Sequence, residues 1–312
     1  MSLKIDAAVY SHIGGRSNNE DNFYFNGVFM SREQMNSGGE LSASSADKSQ
    51  IYAVCDGMGG AEYGEEASLR TVTELKKYQK DCQQPDSSVY LDKLIDDTSR
   101  KVDEISLSKG MPSGSSGSTI AMMIINDYYY RTVHVGDSRI YRLRGGKLER
   151  LTRDDSEVQR MLDNGQITAE QAWRHPKSNI ISKHLGMPLG VGKTLKPTIS
   201  SRNDLVAGDR YILCSDGLSD VVRDSQIAKT GSGGTPREAA ERLVFTALQE
   251  ANGYGVSSDN ITVIVMDVCD VGNRQQAARH KTVMRAIQIA SGVLMALSAS
   301  GIAFLVTQLF MR

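Results

Sequence analysis

The sequence predicts an α+β fold in which two mostly antiparallel β-sheets form a sandwich with α-helices packed outside. Short runs rich in β-branched and aromatic residues follow one another between Gly, Asp and Asn turns, without strict alternation of strands and helices. Three amphipathic segments supply the helices. A chain of 312 residues with 40% apolar and 23% charged residues suits one large domain, predicted at residues 1–270.

The predicted strands share high β-propensity and turn residues at their ends. Several follow one another closely enough to form hairpins. The predicted ranges are 51–55, 120–125, 128–135, 139–144, 211–214 and 261–266.

The predicted helices are identified by apolar residues that recur at helical spacing. The first two span residues 61–79 and 88–107. The third spans residues 236–249, with Thr235 as its N-cap and Pro236 as its first helical residue. Segment 31–49 lacks apolar periodicity and is predicted to be a long mobile loop.

Composition excludes several classes of function. A formal net charge of -1 without a long run of Lys or Arg argues against a nucleic-acid partner. The four cysteines, Cys55, Cys82, Cys214 and Cys269, have no CxxC spacing, so neither a zinc site nor a redox pair is indicated. This usage fits a reducing cytosol, and the first residues do not have the pattern of a secretory signal peptide.

Five acidic motifs occur in a fixed order along the chain. Each places an aspartate beside a tight turn or at a strand end, where carboxylates can converge on a cavity. Carboxylate oxygens are the ligands that Mg²⁺ and Mn²⁺ prefer. One such motif is weak evidence, but the ordered set is strong. The motifs are Arg16-x-x-Asn19-Glu20-Asp21, Asp56-Gly57-Met58-Gly59-Gly60, Gly136-Asp137-Ser138-Arg139, Ser215-Asp216-Gly217-Leu218-Ser219-Asp220 and Asp259-Asn260.

Together with Gly117-Ser118-Thr119, this ordered set resembles the PPM family, the type 2C metal-dependent serine/threonine protein phosphatases, over roughly residues 5–268. The resemblance implies an α-β-β-α sandwich with a metal centre at one end. It also implies two Mn²⁺ or Mg²⁺ ions, and phosphoserine and phosphothreonine proteins as substrates.

The resemblance assigns roles to the acidic positions. Asp56 is expected to bridge the two ions and to position the nucleophilic water, and the Gly57 carbonyl is expected to bind one ion. Asp216 and Asp259 are expected to complete the other. A water that bridges two such ions loses its proton near neutral pH and attacks phosphorus in line, without a covalent phosphoenzyme.

Further roles follow from the same resemblance. Glu20 and Asp21 are expected to hold metal-bound water at the centre, and Arg16 to bind the substrate phosphate through its forked guanidinium. Asp137 resembles a ligand of a third, weaker ion, with Asp220 near it. The alternative for Asp137 is a hydrogen-bonded turn aspartate.

One position departs from the eukaryotic pattern. Many eukaryotic members carry a general-acid His directly after the Asp-Gly pair, where this chain has Met58. Bacterial members commonly carry the same Asp-Gly-Met-Gly-Gly, so the resemblance is to the bacterial type. It leaves the proton donor to the leaving group unassigned.

Residues 154–187 resemble the flap subdomain of the bacterial members and are called the flap below. Their apolar residues predict two short amphipathic helices beside the active site, where they would contact a substrate protein. Trp173 and His175 are interpreted as packing within the flap rather than as substrate contacts.

The other end of the chain predicts a membrane anchor. Residues 286–310 contain no charged residue, and these 25 residues would extend about 37 Å as a helix, enough to cross a hydrocarbon core of about 30 Å. A charged linker, 271–285, precedes this span. The alternative is a buried C-terminal helix of the domain.

Four basic residues lie in that linker and only Arg312 follows the span, so the positive-inside rule places the catalytic domain in the cytoplasm, at the inner membrane. Gly292, Ala296 and Ser300 are spaced by four and predict dimerisation through the transmembrane helix.

The leading interpretation is therefore a membrane-tethered protein phosphatase that opposes a bacterial serine/threonine kinase. Two alternatives stay open. One is a catalytically inactive scaffold or phosphoprotein-binding module with the same fold, and the other is a phosphatase dedicated to one regulatory partner.

Overall fold

The computed structural model describes residues 3–59, 63–81, 86–173 and 175–271. Leu3–Asp270 form one compact unit, and the second unit, residues 1–2 and 271–312, lies outside the described residues apart from Val271. The predicted transmembrane helix at 286–310 and the predicted linker after Val271 therefore lie outside the description. None of the helices within the described ranges is long and apolar enough to cross a membrane.

The unit contains thirteen described strands and eight described helices. The strands are β1 (Leu3–His12), β2 (Asp21–Phe25), β3 (Gly39–Ser45), β4 (Ser49–Met58), β5 (Gly117–Ser118), β6 (Ile120–Asn126), β7 (Tyr129–Val135), β8 (Arg139–Arg144), β9 (Lys147–Arg150), β10 (Thr198–Ile199), β11 (Asn203–Asp204), β12 (Arg210–Cys214) and β13 (Ile261–Val271). The helices are α1 (Arg32–Met35), α2 (Gly64–Asp81), α3 (Ser88–Ser108), α4 (Glu157–Asp163), α5 (Ala169–Ala172), α6 (Asp216–Ser219), α7 (Asp224–Gly231) and α8 (Pro236–Gly253).

The strands form two sheets, as the sequence predicts. One sheet has the order β3-β1-β13-β12-β8-β9, and the other has the order β10-β7-β6-β4-β2 with β11 paired to β7 and β5 to β4. Neighbouring hairpin strands such as β6–β7 and β8–β9 pair antiparallel. The sheets face each other, and the rings of Tyr130 on β7 and Tyr211 on β12 meet edge to face with centroids 5.0 Å apart.

Each sheet also buries its outer face under helices. In β4, Ile51, Ala53 and Cys55 belong to the hydrophobic cluster beneath α2 and α3, whereas Tyr52 and Val54 alternate toward the other side of the strand. A second cluster joins the six-stranded sheet to α7 and α8. This gives the α-β-β-α layering expected from the resemblance.

The predicted helices and strands are confirmed with small shifts at their ends. The apolar residues at helical spacing in the second helix are buried along α3, and they are Leu91, Leu94, Ile95, Val102 and Ile105. At α8, Thr235 accepts a hydrogen bond from the Glu238 backbone while the Glu238 side chain accepts one from the Thr235 backbone, which is a complete capping box. Pro236 follows this cap as predicted.

The prediction of a mobile loop at 31–49 was wrong. This segment contains α1, anchored by the buried Met35, and β3, which pairs with β1 along the register from Ile5–Ser45 to Ser11–Gly39. Backbone hydrogen bonds to β1 hold β3 at the edge of the sheet, so its largely exposed side chains need no apolar alternation. The sequence of β3 therefore lacks the alternation of apolar and polar residues that would have predicted a strand.

Candidate active site

The acidic motifs meet at one end of the sandwich. Asp21 opens β2 and lies directly opposite Asp56 of β4 in the antiparallel register. Gly57 follows at the end of β4, where an added Cβ would lie 2.0 Å from the Gly64 carbonyl oxygen. Only glycine therefore allows this close approach of β4 to the start of α2.

Ser215 links the six-stranded sheet, through the end of β12, to this point. Its hydroxyl donates a 2.7 Å hydrogen bond to Asp21 Oδ2 and accepts one of 3.0 Å from the Thr262 backbone. Asp216 comes next as the first residue of α6. The bond between Ser215 and Asp21 therefore brings Asp216 beside Asp21 and Asp56. Neither the Ser215 nor the Thr262 contact was predicted.

Asn260 holds the loop that carries Arg16. Its side-chain amide donates to the carbonyls of Ile13 at 2.8 Å and Asn18 at 3.0 Å, while its oxygen accepts 2.8 Å from the Glu20 backbone. Arg16 then donates from Nη2 to Asp259 Oδ2 at 2.7 Å across the exposed mouth of the site. These contacts tie Arg16 and Glu20 of the first motif to Asp259 and Asn260 of the last motif.

Asp137 follows β7 and is buried beside Asp220, which caps α6 at its C-terminus. Behind them, the Arg139 guanidinium donates to both carboxylate oxygens of Asp154 at 2.7 to 3.1 Å. This bidentate pair places a fixed positive charge under the acidic cluster and fastens the first residue of the flap to β8.

Several carboxyl groups lie close together in this cluster, and nearby positive charge does not balance them, so their pKa values are raised. Burial, followed by repulsion from Asp216, raises the pKa of Asp56 well above its ordinary value. Burial raises the pKa of Asp21 to about 8, against the hydrogen bond from Ser215, and that of Asp216 to about 6. The pKa of Asp137 is also raised, by burial and then by Asp216.

Two more acids show the same effect. The pKa of Asp220 is raised to about 7 by burial and by Asp216. Burial and the neighbouring Glu65 raise the pKa of Glu20 to about 7. Glu20 lies against the backbone at the start of α2, where an added Cβ on Gly64 would be 2.6 Å from its Cδ.

The residues present fit divalent cations. Asp21 Oδ1 and Asp137 Oδ1 are buried without a hydrogen-bond partner among the described residues, and like charges accumulate around them. No described group of three or more His, Cys, Asp or Glu is already arranged to hold an ion. One oxygen of Asp259 accepts the hydrogen bond from Arg16. The ligand roles of the individual acids stay predictions.

Two cavities meet at this cluster. One, of about 970 Å³, runs between the flap and the segment that joins α6 to α7. The other, of about 820 Å³, lies on the side of β4 and the end of the flap. Arg16, Asp137, Asp216 and Asp259 line both cavities, so the acidic cluster can be reached from either side.

The flap contains the two predicted short helices, α4 and α5, but little core of its own. Trp173 lines the larger cavity with the Arg223 guanidinium 4.9 Å from its ring centroid, and Arg223 also donates to both carboxylate oxygens of Glu170. Trp173 therefore packs against the body of the domain rather than within a flap core. His175 accepts a hydrogen bond from the Lys177 backbone in a turn.

A two-sheet sandwich with a buried carboxylate cluster, an arginine at its mouth and two adjoining cavities defines the class of a metal-dependent hydrolase of the phosphatase type. The model of the family described as Protein phosphatase 2C matches residues 32–252. The chain belongs to this family.

Relatives and solved structures agree with this assignment. The serine/threonine protein phosphatase PstP of Mycobacterium tuberculosis is 36% identical over 222 residues, 71% of this chain and 41% of PstP, so the chain spans less than half of that relative. The serine/threonine phosphatase stp of Listeria innocua is 31% identical over 257 residues, 81% of this chain and 91% of stp. A crystal structure of the PstP catalytic domain in complex with two manganese ions superposes with a TM-score of 0.67 at 31% identity, covering 86% of this chain and all of that one.

Proposed function

We propose that this protein hydrolyses phosphoserine and phosphothreonine in proteins with the help of two divalent cations, Mn²⁺ or Mg²⁺. The observation that carries the proposal is the cluster of carboxylates beneath Arg16. Their combined negative charge favours the binding of cations. The manganese-bound PstP catalytic domain supports the same reading by similarity.

The cation ligands proposed are Asp56 and the Gly57 carbonyl, with Asp21 and Glu20 beside them, and Asp216 with Asp259. Asp137 and Asp220 are proposed for a third ion. Ions bound there would supply an activated water at neutral pH and neutralise charge on the phosphate oxygens.

The chain's own residues orient the substrate. Arg16 is exposed and ends at the junction of the two cavities, so its guanidinium can exchange the Asp259 carboxylate for a phosphate without moving the loop. Asn260 keeps that loop in place, and Ser215 keeps Asp21 turned toward the cluster. Positioning of this kind is a large part of phosphoryl-transfer catalysis.

The test is phosphate release from a phosphothreonine peptide by the full chain with Mn²⁺. Asp56→Asn and Asp216→Asn should both remove activity, whereas Asp204→Asn, an exposed aspartate on β11, should keep it. A folded wild type that releases no phosphate with either Mn²⁺ or Mg²⁺ would favour the inactive scaffold, or the enzyme dedicated to one partner.

We also propose that residues 286–310 anchor the protein in the inner membrane as a single span, with residues 1–270 in the cytoplasm. The support is the uncharged run and the four basic residues before it. The expected result is that the full chain stays with membranes after alkaline carbonate extraction while residues 1–270 are released. Full-length protein in the extract would contradict the anchor.

The proposed partners follow from this location. A serine/threonine kinase that phosphorylates the same substrates at the membrane is one, and a second copy of the chain is another, through Gly292, Ala296 and Ser300. Cross-linking of full-length protein in native membranes should give a dimer that Gly292→Leu weakens. A monomer in that experiment would rule out dimerisation.

A further inference from the structure

The proposed hydrolysis leaves one chemical need unmet, which is a proton for the leaving oxygen. A serine or threonine alkoxide is a poor leaving group, and a positioned acid normally protonates it. Met58, at the end of β4, cannot do so. In the β4–β5 register, Met58 pairs with Gly117, so a side chain that packs on this short strand lies close to the Met58 position.

A histidine lies against that strand. His184 lies near the C-terminal end of the flap, and the next residue, Leu185, is fixed to β5 by two backbone hydrogen bonds with Ser118, of 3.1 and 2.9 Å. An added Cβ on Gly117 would lie 2.4 Å from His184 Nδ1, so the imidazole occupies the space that glycine leaves. The ring is therefore held against β5, the strand that pairs with β4 at Met58.

The hydrogen bonding of His184 defines which nitrogen is available. Nδ1 lies 3.0 Å from the Leu185 carbonyl oxygen, which can only accept, so Nδ1 carries a hydrogen. Among the described residues no hydrogen bond involves Nε2. The side chain is half-buried and lines the 820 Å³ cavity.

The other walls of that cavity carry the reaction centre. The charged groups that face it are Arg16, Glu20, Asp56, Asp137, Asp216 and Asp259. The neighbouring Lys183 lies instead beside Asp155, with 3.5 Å between Nζ and Oδ2. His184 is the only imidazole among the described residues that line this cavity.

We propose that His184 is the proton donor to the leaving serine or threonine, which rests on the function proposed above. Water oxygen forms the new bond to phosphorus as the bond from phosphorus to the alkyl oxygen breaks, and its electron pair goes to the alkyl oxygen. That oxygen takes the proton from Nε2 of the imidazolium. The neutral ring keeps its Nδ1 hydrogen on the Leu185 carbonyl and regains the other proton from solvent, while the attacking water gives up a proton to solvent.

The test compares two leaving groups in the full chain with Mn²⁺. His184→Gln keeps a polar side chain of similar size but cannot act as the acid. It should lower kcat on a phosphothreonine peptide by about a hundredfold or more. The kcat on p-nitrophenyl phosphate should stay within about twofold of wild type, because nitrophenolate leaves without a proton.

The pH profile adds a readout that a purely structural role would not move. With the peptide, wild-type kcat should fall at alkaline pH as the donor loses its proton, and this fall should be absent in His184→Gln. Lys183→Gln, next in sequence but directed at Asp155, is the matched control and should keep both rates and the alkaline fall.

Equal losses on both substrates, or an unchanged peptide rate in a folded His184→Gln variant, would overturn the role of His184 while leaving the proposed function intact. Failure of the wild type on both substrates would overturn the proposed function and the role of His184 with it.

Discussion

The sandwich and the flap are stabilised in different ways. In the sandwich, α3 buries eight residues and α8 buries six, so each helix is fixed by a broad apolar face. In the flap, α4 buries two residues and α5 buries none. The hydrophobic effect therefore fixes the sheets that carry the acidic cluster far more strongly than it fixes the flap.

The flap is instead attached by polar contacts. Asp154 is held by the half-buried Arg139, and Glu170 and Trp173 are both held by Arg223. The Arg223–Glu170 ion pair is exposed, and exposed ion pairs of this kind contribute little to stability. The difference implies that the reaction centre is fixed by the fold, while the wall that faces a substrate can be changed with little effect on folding.

The largest effect is expected at the centre of the sandwich. Asp56→Asn should lower phosphatase activity by more than about a hundredfold, because even residues that only support metal ligands are worth 10 to 100-fold. The same change should raise the melting temperature of the metal-free protein at neutral pH. A carboxyl whose pKa is raised by folding destabilises the folded state above its unfolded pKa, and Asn does not titrate. Activity assays and thermal melts in EDTA check both parts, and a less stable metal-free variant would contradict the electrostatic argument.

A matched pair of leucines compares packing in the two regions. Leu243→Ala on α8, where the side chain is fully buried, should cost about 2–5 kcal/mol of unfolding free energy. Leu162→Ala on α4, where the side chain is half-buried and lines a cavity, should cost a small fraction of that. Urea denaturation of both variants gives the values, and similar losses would show that the flap has a core comparable to the sandwich.

The acidic cluster should make the metal-free protein sensitive to pH. The pKa of Glu20 is raised from 4.5 to about 7, so the folded state binds its proton more tightly than the unfolded chain. This contribution to stability is complete below about pH 4.5 and is lost as pH rises through about 7. Glu20→Gln should remove that loss and flatten the decline in melting temperature between pH 5 and 8 by about a few degrees. Parallel curves for the two proteins would sink the idea.

The smallest effect on stability is expected at the flap attachment. Arg223→Ala removes the ion pair with Glu170 and the contact with Trp173, so KM for a folded phosphoprotein should rise about three- to tenfold. Turnover of p-nitrophenyl phosphate and the melting temperature should change little. Arg160→Ala is the control, because the ion pair that Arg160 makes among the described residues is with Glu157 on the same helix and does not join the flap to the body. An equal rise in KM for both variants would argue against an attachment role.

Much of the sandwich could be predicted because its signals are local. The capping pattern at Thr235 and the apolar spacing of α3 lie within single segments. The convergence of Asp21 and Asp56 could also be anticipated, since acids at strand ends gather at one edge of a sheet. The strand β3 could not, because its pairing with β1 uses backbone groups that carry no sequence signal.

The contacts that support the site were harder to foresee. Ser215 and Asn260 lie inside recognised motifs, yet their partners, Asp21 and Glu20, are 194 and 240 residues away in the chain. His184 does not belong to any of the recognised motifs. Only the glycine at position 117, which leaves room for a ring, could have indicated that an aromatic side chain packs against β5. Tertiary packing decides such pairs.

The large sequence separation between Glu20 and Asn260, which are joined by a hydrogen bond, has a consequence for synthesis on the ribosome. Chains emerge from the N-terminus, and domains begin to fold as they emerge. Arg16 and Asp21 leave the exit tunnel early, but Asp259, Asn260 and Thr262 come immediately before or within β13, which completes the central part of the six-stranded sheet. A nascent chain that stops before Asp259 therefore has neither the last carboxylate nor the amide that holds the arginine loop, so the proposed reaction cannot begin until translation has passed this point.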